Sequence, residues 1–468
     1  MTGLPAGLAA VAGVLLLAGA AGTVATGALF GRAGADPLER LAWGFAAGLA
    51  LLAGYVPISL TLGARPGAIA LFVLTALVIG MAVLFRLPAL RIPAPAHERG
   101  SGGSSLIRLL FLVPLSLGIL LYLLRALTEP MWATDFLAIW GWKGKTIFGA
   151  GLLPAWTWRL PEFSFTHPEY PLGLPFLYAG ISFVLERWDD HAMALLFPAL
   201  QVATLLLVAG WLRRRGAPPP VPLAAAATLS GFEPLYAAFT TGMAEVPLSF
   251  FVLLVGTALV DALEEEAGGS RRLAMAAAGA AALKNEGIFV AAVAGVLAVA
   301  AGGRPGRVRW RAAAAALLPA VAVLAAHRVG RGSLPLRDFR FGLLLEPGFP
   351  SRLGLGLRTI LAEVLIPAAP GLIAFGVLLL SGRRSTAGDR LLALTAIPLS
   401  AYALLPAFCV FGPDWLARTA FARTAAALAP LAAAGVALRL APLLEEMRDT
   451  GYEIREEMRD TGYGIRDS

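Results

Sequence analysis

Long apolar runs separated by short polar connections set the pattern of the chain. They fall near residues 4–30, 38–63, 66–85, 106–127, 172–187, 191–212, 219–241, 246–262, 273–302, 312–327, 359–381, 389–411 and 421–441. Most reach about 20 residues, the length at which an α-helix crosses a hydrocarbon core of about 30 Å. The period-two alternation of barrel strands is absent. The pattern therefore predicts an all-α, polytopic transmembrane protein of about 11–13 spans, with one long connection after the fourth. The first run has no basic stretch before it, so it reads as a retained span rather than a cleaved signal.

Composition agrees with the pattern. The chain is 58% hydrophobic and 15% charged, with a mean hydropathy of +0.74, outside the range of soluble domains. The net charge of +8 comes mainly from arginine. With no soluble basic domain to carry it, this charge points to a lipid bilayer as partner and away from nucleic acid. Cys409 is the sole cysteine, which excludes an intramolecular disulfide.

Basic connections orient the spans. Arg86, Arg91 and Arg99, the triplet Arg213–Arg215, Arg271 and Arg272, the group Arg304 to Arg311, and Arg383 to Arg390 are placed in the cytoplasm. The connections 129–171, 240–245, 328–358 and 412–420 then face outward and the C-terminal tail faces inward. Parity requires one apolar run to stay on its own side, and 172–187, short and opening Leu-Gly-Leu-Pro, is expected to do so. The run 273–302 is interrupted by Lys284-Asn285-Glu286-Gly287, which predicts a hairpin of two short helices. The tail repeats EEMRDTGYEIR as EEMRDTGYGIR. Its glycines weaken a helix, so a loosely structured tail is expected, with an interfacial amphipathic helix as the alternative.

Candidate chemistry gathers in 129–171, which holds five of the ten tryptophans together with Asp135, His167 and Glu169. Asp135 reads either as a general base or metal-binding carboxylate, or as a helix N-cap. In His167-Pro168-Glu169-Tyr170-Pro171 two prolines fix φ, which predicts a stiff, extended entry into the next helix. Glu245, beside Pro247 at the outer end of a span, is either a site carboxylate or an exposed cap. Glu233 is expected deeper in the membrane. Lys284 and Glu286 either line a polar cavity or neutralise one another. The arginines of 328–358 suggest a phosphate-binding surface, and Arg418 and Arg423 stand near it. The tryptophans, Trp140 among them, serve as interface anchors or as flat faces for a sugar ring. Walker, HExxH and CxxC motifs are absent from the sequence, which disfavours ATP-driven transport.

The order of these pieces resembles the GT-C superfamily of membrane glycosyltransferases, in particular the family of protein O-mannosyltransferases and aminoarabinose transferases. Asp135 early in an external loop, HPEYPLGLP (167–175) closing it, TGMAEVPLSFF (241–251), LKNEG (283–287) and FARTAAALAPL (421–431) are similar to that family's motifs in sequence order. The family often has an Asp-Glu pair where this chain has Thr134-Asp135-Phe136, and Asp is common where Glu245 stands. The resemblance covers residues 106–441 as the catalytic region, with 1–105 as N-terminal helices and a cytoplasmic loop, and 442–468 as the tail. It implies transfer of a sugar from a polyprenyl-phosphate donor to an acceptor hydroxyl at the outer face. Asp135, Glu169 and Glu245 are the implied catalytic group. His167, Tyr170, Trp140, Lys284, Glu286, Arg418 and Arg423 are implied for substrate, and a divalent ion on Asp135 and Glu245 is left open. A transporter or flippase of a lipid-linked or anionic solute, and a non-catalytic scaffold, are the alternative readings.

Overall fold

The computed structural model describes residues 4–30, 36–67, 105–151, 165–237, 240–329, 339–368, 373, 376–377, 380 and 385–460. The expected segment 66–85 and its basic connection, Trp156 and Trp158, and Arg331, Arg337, Arg383 and Arg384 lie outside the described residues. So does most of the second half of 359–381.

The protein is an all-α, multi-pass membrane protein. Its helices in order are α1 (Leu4–Phe30), α2 (Pro37–Thr61), α3 (Ser105–Thr128), α4 (Gly141–Ala150), α5 (Gly173–Leu185), α6 (Leu196–Arg214), α7 (Pro220–Ser230), α8 (Glu245–Leu263), α9 (Gly269–Leu283), α10 (Asn285–Ala300), α11 (Gly306–Val329), α12 (Phe349–Ile360), α13 (Thr386–Leu404), α14 (Ala422–Ala426) and α15 (Ala429–Asp460). Among the described residues no strand forms, and a single β-bridge joins Phe339 to Cys409. Seven helices among them are long and apolar enough to cross a bilayer, or eight if the pair Pro413–Ala426 and Ala429–Met447, bent by 48°, is one span.

Two expected segments differ. The run 219–241 is not one helix. α7 stops at Ser230, and Glu233–Tyr236 forms a separate turn, because Gly231 ends the first helix and Pro234 suits the start of another. Glu233 opens this turn and its side chain is exposed at the surface of the protein. The tail is not loose: α15 runs through the first repeat and into the second. Of the tail's glycines Gly451 falls inside it, where the surrounding Glu, Met and Arg favour helix, and Gly462 and Gly464 lie outside the described residues. The helix also passes residue 442 without a break.

Other irregularities match the sequence. α5 has 13 residues, about 20 Å of helix against a core of about 30 Å. The run 273–302 is a hairpin. Lys284 is extended at φ −159°, ψ 155° between α9 and α10. The helices fold back so closely that a Cβ on Gly287 would meet the Ala280 carbonyl oxygen at 1.9 Å. Ala277, Ala281 and Ala291 bury together with Ala320 of α11. α1 lies against α2 through Gly22, Gly44 and Gly48, where a Cβ on Gly48 would come within 2.0 Å of the Ala18 carbonyl. Small residues admit such backbone contact between membrane helices.

α8 is the centre of the bundle, and every one of its residues is buried. It is apolar on all sides, as an enclosed helix must be, yet carries an acid at each end. At its C-terminal end Asp261 accepts from Arg214 (2.8 Å), Arg215 (2.6 Å), Arg272 (2.9 Å) and Trp211 Nε1 (3.3 Å). Glu39 of α2 accepts from Arg214 at 2.7 Å, while Glu264 and Glu266 close on Arg215 and Arg214. Glu39 and Asp261 are fully buried. The arginines that mark the cytoplasmic face in the sequence thus divide in two. Arg213 stays largely in solvent, whereas Arg214, Arg215 and Arg272 tie α2, α6, α8 and α9 together.

Replacing Asp261 with Ala leaves three guanidinium groups facing one another without their shared acceptor. A loss of roughly 3–5 kcal/mol is expected, the range for breaking a buried pair from one side. Thermal unfolding of the detergent-solubilised protein measures it; an unchanged melting temperature would show that the network carries no stability.

Candidate functional site

The opposite end of α8 faces a cavity of about 740 Å³. Four segments supply its ionic end: the connection after α3, the His167–Tyr170 turn, the α9–α10 hinge and α14.

Asp135 lies at the start of a wide π turn, Phe136–Trp140, leading into α4. It stands where an N-cap would stand, but its side chain makes no capping bond. Instead Oδ2 accepts from Arg423 Nη1 at 3.0 Å. The N-cap alternative is therefore not what the structure uses. Arg423 follows a second π turn, Ala417–Phe421. Its Nε donates to the Thr419 carbonyl at 2.9 Å, and Nη1 also approaches Met243 Sδ at 3.5 Å. π turns are rare and concentrate at functional sites; here one follows Asp135 and another precedes Arg423.

Lys284 occupies the hinge, where the chain leaves one helix axis for another and its side chain turns inward. Nζ donates to Glu245 Oε1 at 3.0 Å and to Glu286 Oε1 at 2.9 Å. Both readings of Lys284 and Glu286 hold at once: they pair, and both line the cavity. Glu245 is buried rather than an exposed cap, and stands behind Lys284 rather than in the lining. Its second oxygen, Oε2, has no hydrogen-bond partner among the described residues.

The HPEYP element is a turn, not the extended entry that its prolines suggest. Tyr170 N–H donates to the His167 carbonyl at 3.0 Å, with Pro168 at the second turn position, where its fixed φ fits. His167 takes φ +49°. The turn stacks three rings: His167 on Tyr170 at 4.7 Å and Tyr170 on Trp140 at 5.3 Å between centroids. His167 and Tyr170 line the cavity, while Trp140 is buried behind them. Lys143, fully buried, donates to the His167 carbonyl at 2.6 Å and lies within 6.0 Å of the Tyr170 and Trp140 rings. His327 of α11 donates to the Glu169 carbonyl at 3.1 Å. Neither residue stands out in the sequence, although Lys143 directly follows Trp140-Gly141-Trp142.

Glu169 accepts from His167 Nδ1 at 2.9 Å and does not line the cavity. Burial acts to raise its carboxyl pKa, but the His167 hydrogen bond, a backbone hydrogen bond and the charges of His167 and Lys143 outweigh burial and hold it below its ordinary value.

Other expected members lie elsewhere. Arg418 is exposed on Glu363 at 3.1 Å. Of the arginines in 328–358, Arg340 faces Glu346 and Arg352 is held by the carbonyls of Ala407 and Cys409. Arg328 and Arg358 are exposed. None of these lines the cavity; among the described residues Arg423 and Lys284 are its cations. Arg340 and Arg352 are taken up locally, by Glu346 and by backbone carbonyls.

The donor set does not fit a divalent ion. Asp135 and Glu245 each hold a cation of the protein, and among the described residues no group of three or more His, Cys, Asp or Glu could hold a metal. Apart from Thr134, Asn285, Thr419 and Thr424 the rest of the lining is mainly apolar and aromatic, with Phe289, Phe341, Tyr402, Leu405, Trp415 and Leu416. Phe341 and Trp415 are themselves about half exposed, which puts the apolar wall at the surface of the molecule. No protein-family model, curated protein or solved structure matches the chain.

The depressed carboxyl of Glu169 sets a pH dependence. Its folded-state value lies below the unfolded one, so its stabilisation is fully present above the ordinary carboxylate pKa of about 4.5 and is lost as pH falls through the folded value. The difference in thermal stability between wild type and Glu169→Gln should be flat at neutral pH and shrink in acid. A difference that instead grows in acid would contradict the pairing.

Proposed function

We propose that the protein is a glycosyltransferase that moves a sugar from a polyprenyl-phosphate donor to an acceptor hydroxyl at the outer face of a membrane, of the bacterial inner-membrane type. One observation supports this reading most: Asp135 and Arg423 meet at 3.0 Å in the wall of a cavity whose remaining lining is largely apolar. A lipid-borne donor needs such a two-sided site. Its isoprenoid chain requires an apolar wall, supplied by Phe289, Phe341, Trp415 and Leu416, and its phosphate requires cations, supplied by Arg423 and Lys284. The order of motifs along the chain supports the same class.

The step balances without a cofactor. Asp135 takes the proton of the acceptor hydroxyl as its oxygen bonds to the anomeric carbon. The bond from that carbon to the phosphate oxygen breaks with inversion, and the electron pair leaves with the lipid phosphate. Arg423 and Lys284 stabilise the charge that develops there. Glu245 and Glu169 are positioning residues in this scheme, acting through Lys284 and His167. The acceptor is a glycan, a lipid or a protein. No step runs through a metal ion.

A transporter or flippase remains the second reading. Lys284, at the break between two short helices, lines the same cavity, as interrupted helices do in transporters.

Membranes containing the protein are to be incubated with a panel of radiolabelled polyprenyl-phosphate sugars, and free lipid phosphate measured. Wild type should release it from one member of the panel, and Asp135→Asn should reduce release by about 100-fold or more at equal protein level. Full activity in Asp135→Asn would remove Asp135 as the base. Movement of intact donor between leaflets without cleavage would favour the transporter.

A further inference from the structure

At the ionic end of the cavity carboxylates outnumber cations. Asp135, Glu245 and Glu286 share Arg423 and Lys284. Both cations are already paired, so an anionic ligand meets no free positive charge and must displace a carboxylate.

The two pairs differ in how readily they yield. The side chains of Lys284 and Glu245 are 8% and 5% exposed, those of Arg423 and Asp135 23% and 25%. Parting a buried pair leaves a desolvated charge, whereas a pair that water reaches separates at smaller cost. Arg423 also has a second counter-charge in place. Glu245 acts on it electrostatically, and Glu245 Oε2 is without a hydrogen-bond partner among the described residues. A guanidinium that leaves Asp135 therefore stays neutralised from behind. Its Nε is fixed on the Thr419 carbonyl, so the outer nitrogens can change partner while the helix stays in place. That planar fork matches phosphate oxygens.

We infer that Arg423 is a ligand-exchangeable latch on Asp135: an isoprenyl phosphate entering the cavity takes the guanidinium from Asp135 and thereby frees the carboxylate. The inference rests on the proposed reading for the class of ligand. It makes Arg423 a specificity-determining residue, because a neutral lipid or a free sugar leaves Asp135 latched. It also gives the anion and Asp135 opposing claims on one residue, which a binding measurement detects without any transfer.

The protein in phosphatidylcholine nanodiscs is to be titrated calorimetrically with citronellyl phosphate, with citronellol and inorganic phosphate as separate arms. Wild type should bind the isoprenyl phosphate and not the alcohol. Asp135→Asn should bind it about fivefold tighter, since its competitor for Arg423 is gone. Arg423→Gln should bind about tenfold weaker. In wild type, infrared difference spectra should show one carboxylate stretch shifting on ligand addition, absent in Asp135→Asn; this readout survives if a variant folds poorly. Binding in Asp135→Asn that is unchanged or weaker, with Arg423→Gln still impaired, overturns the latch and leaves the ligand class intact. Isoprenyl phosphate binding no better than citronellol overturns the ligand class and the latch with it. Inorganic phosphate binding as tightly as the lipid phosphate, and tighter still in Asp135→Asn, keeps the latch and overturns the lipid as its ligand.

Discussion

The bundle depends on one constraint: α8 is wholly enclosed, and an enclosed helix must satisfy its charged ends within the protein. Asp261 does so at one end, with Arg214, Arg215 and Arg272. Glu245 does so at the other, with Lys284. A buried carboxylate without a cation costs several kcal/mol, so each end fixes a neighbour. At the Asp261 end the neighbours are α2, α6 and α9. At the Glu245 end the neighbour is the α9–α10 hinge, whose extended Lys284 is the only backbone break between two otherwise regular helices.

The candidate site follows from that arrangement. Holding Lys284 against Glu245 sets the hinge, which brings Glu286 to the cavity edge at 2.9 Å from the same ammonium. The opposite wall is set separately. Lys143 grips the His167 carbonyl, and the pile of His167, Tyr170 and Trp140 gives the turn a fixed face. Between the two walls the π turns before Arg423 and after Asp135 place the most exposed of the cavity's ion pairs. The rigid pairs support the site and the looser pair is available to a ligand, a division set by burial.

Much of this is legible in the chain. Apolar runs of span length show the all-α membrane class, because a bilayer leaves the backbone few alternatives to helix. The polar interruption at 284–287 shows the hairpin, since neither half is long enough to cross alone. Asp135, His167, Tyr170, Lys284, Glu286 and Arg423 all reach one cavity, and they are visible beforehand because charges and paired prolines are rare in such a sequence. What misleads is local chemistry with two outcomes. The HPEYP prolines permit an extended segment or a turn, and only the contact with Lys143 and the ring stack selects the turn. The tail glycines suggest a loose chain, yet one glycine inside α15 is outweighed by its neighbours. The arginines of 328–358 suggest one anion surface, but Arg340 is drawn to Glu346 and Arg352 to backbone carbonyls, away from the cavity.

The sequence by itself therefore determines the class of the protein, the places where its helices break and the pool of residues available for chemistry, because hydropathy and backbone hydrogen bonding act over short distances. Which charges meet is decided only by the tertiary structure. Asp135 and Arg423 lie 288 residues apart, and Glu39 and Arg214 lie 175 apart. No local rule selects such partners; they are chosen when burial of α8 forces every charge at its ends to find one.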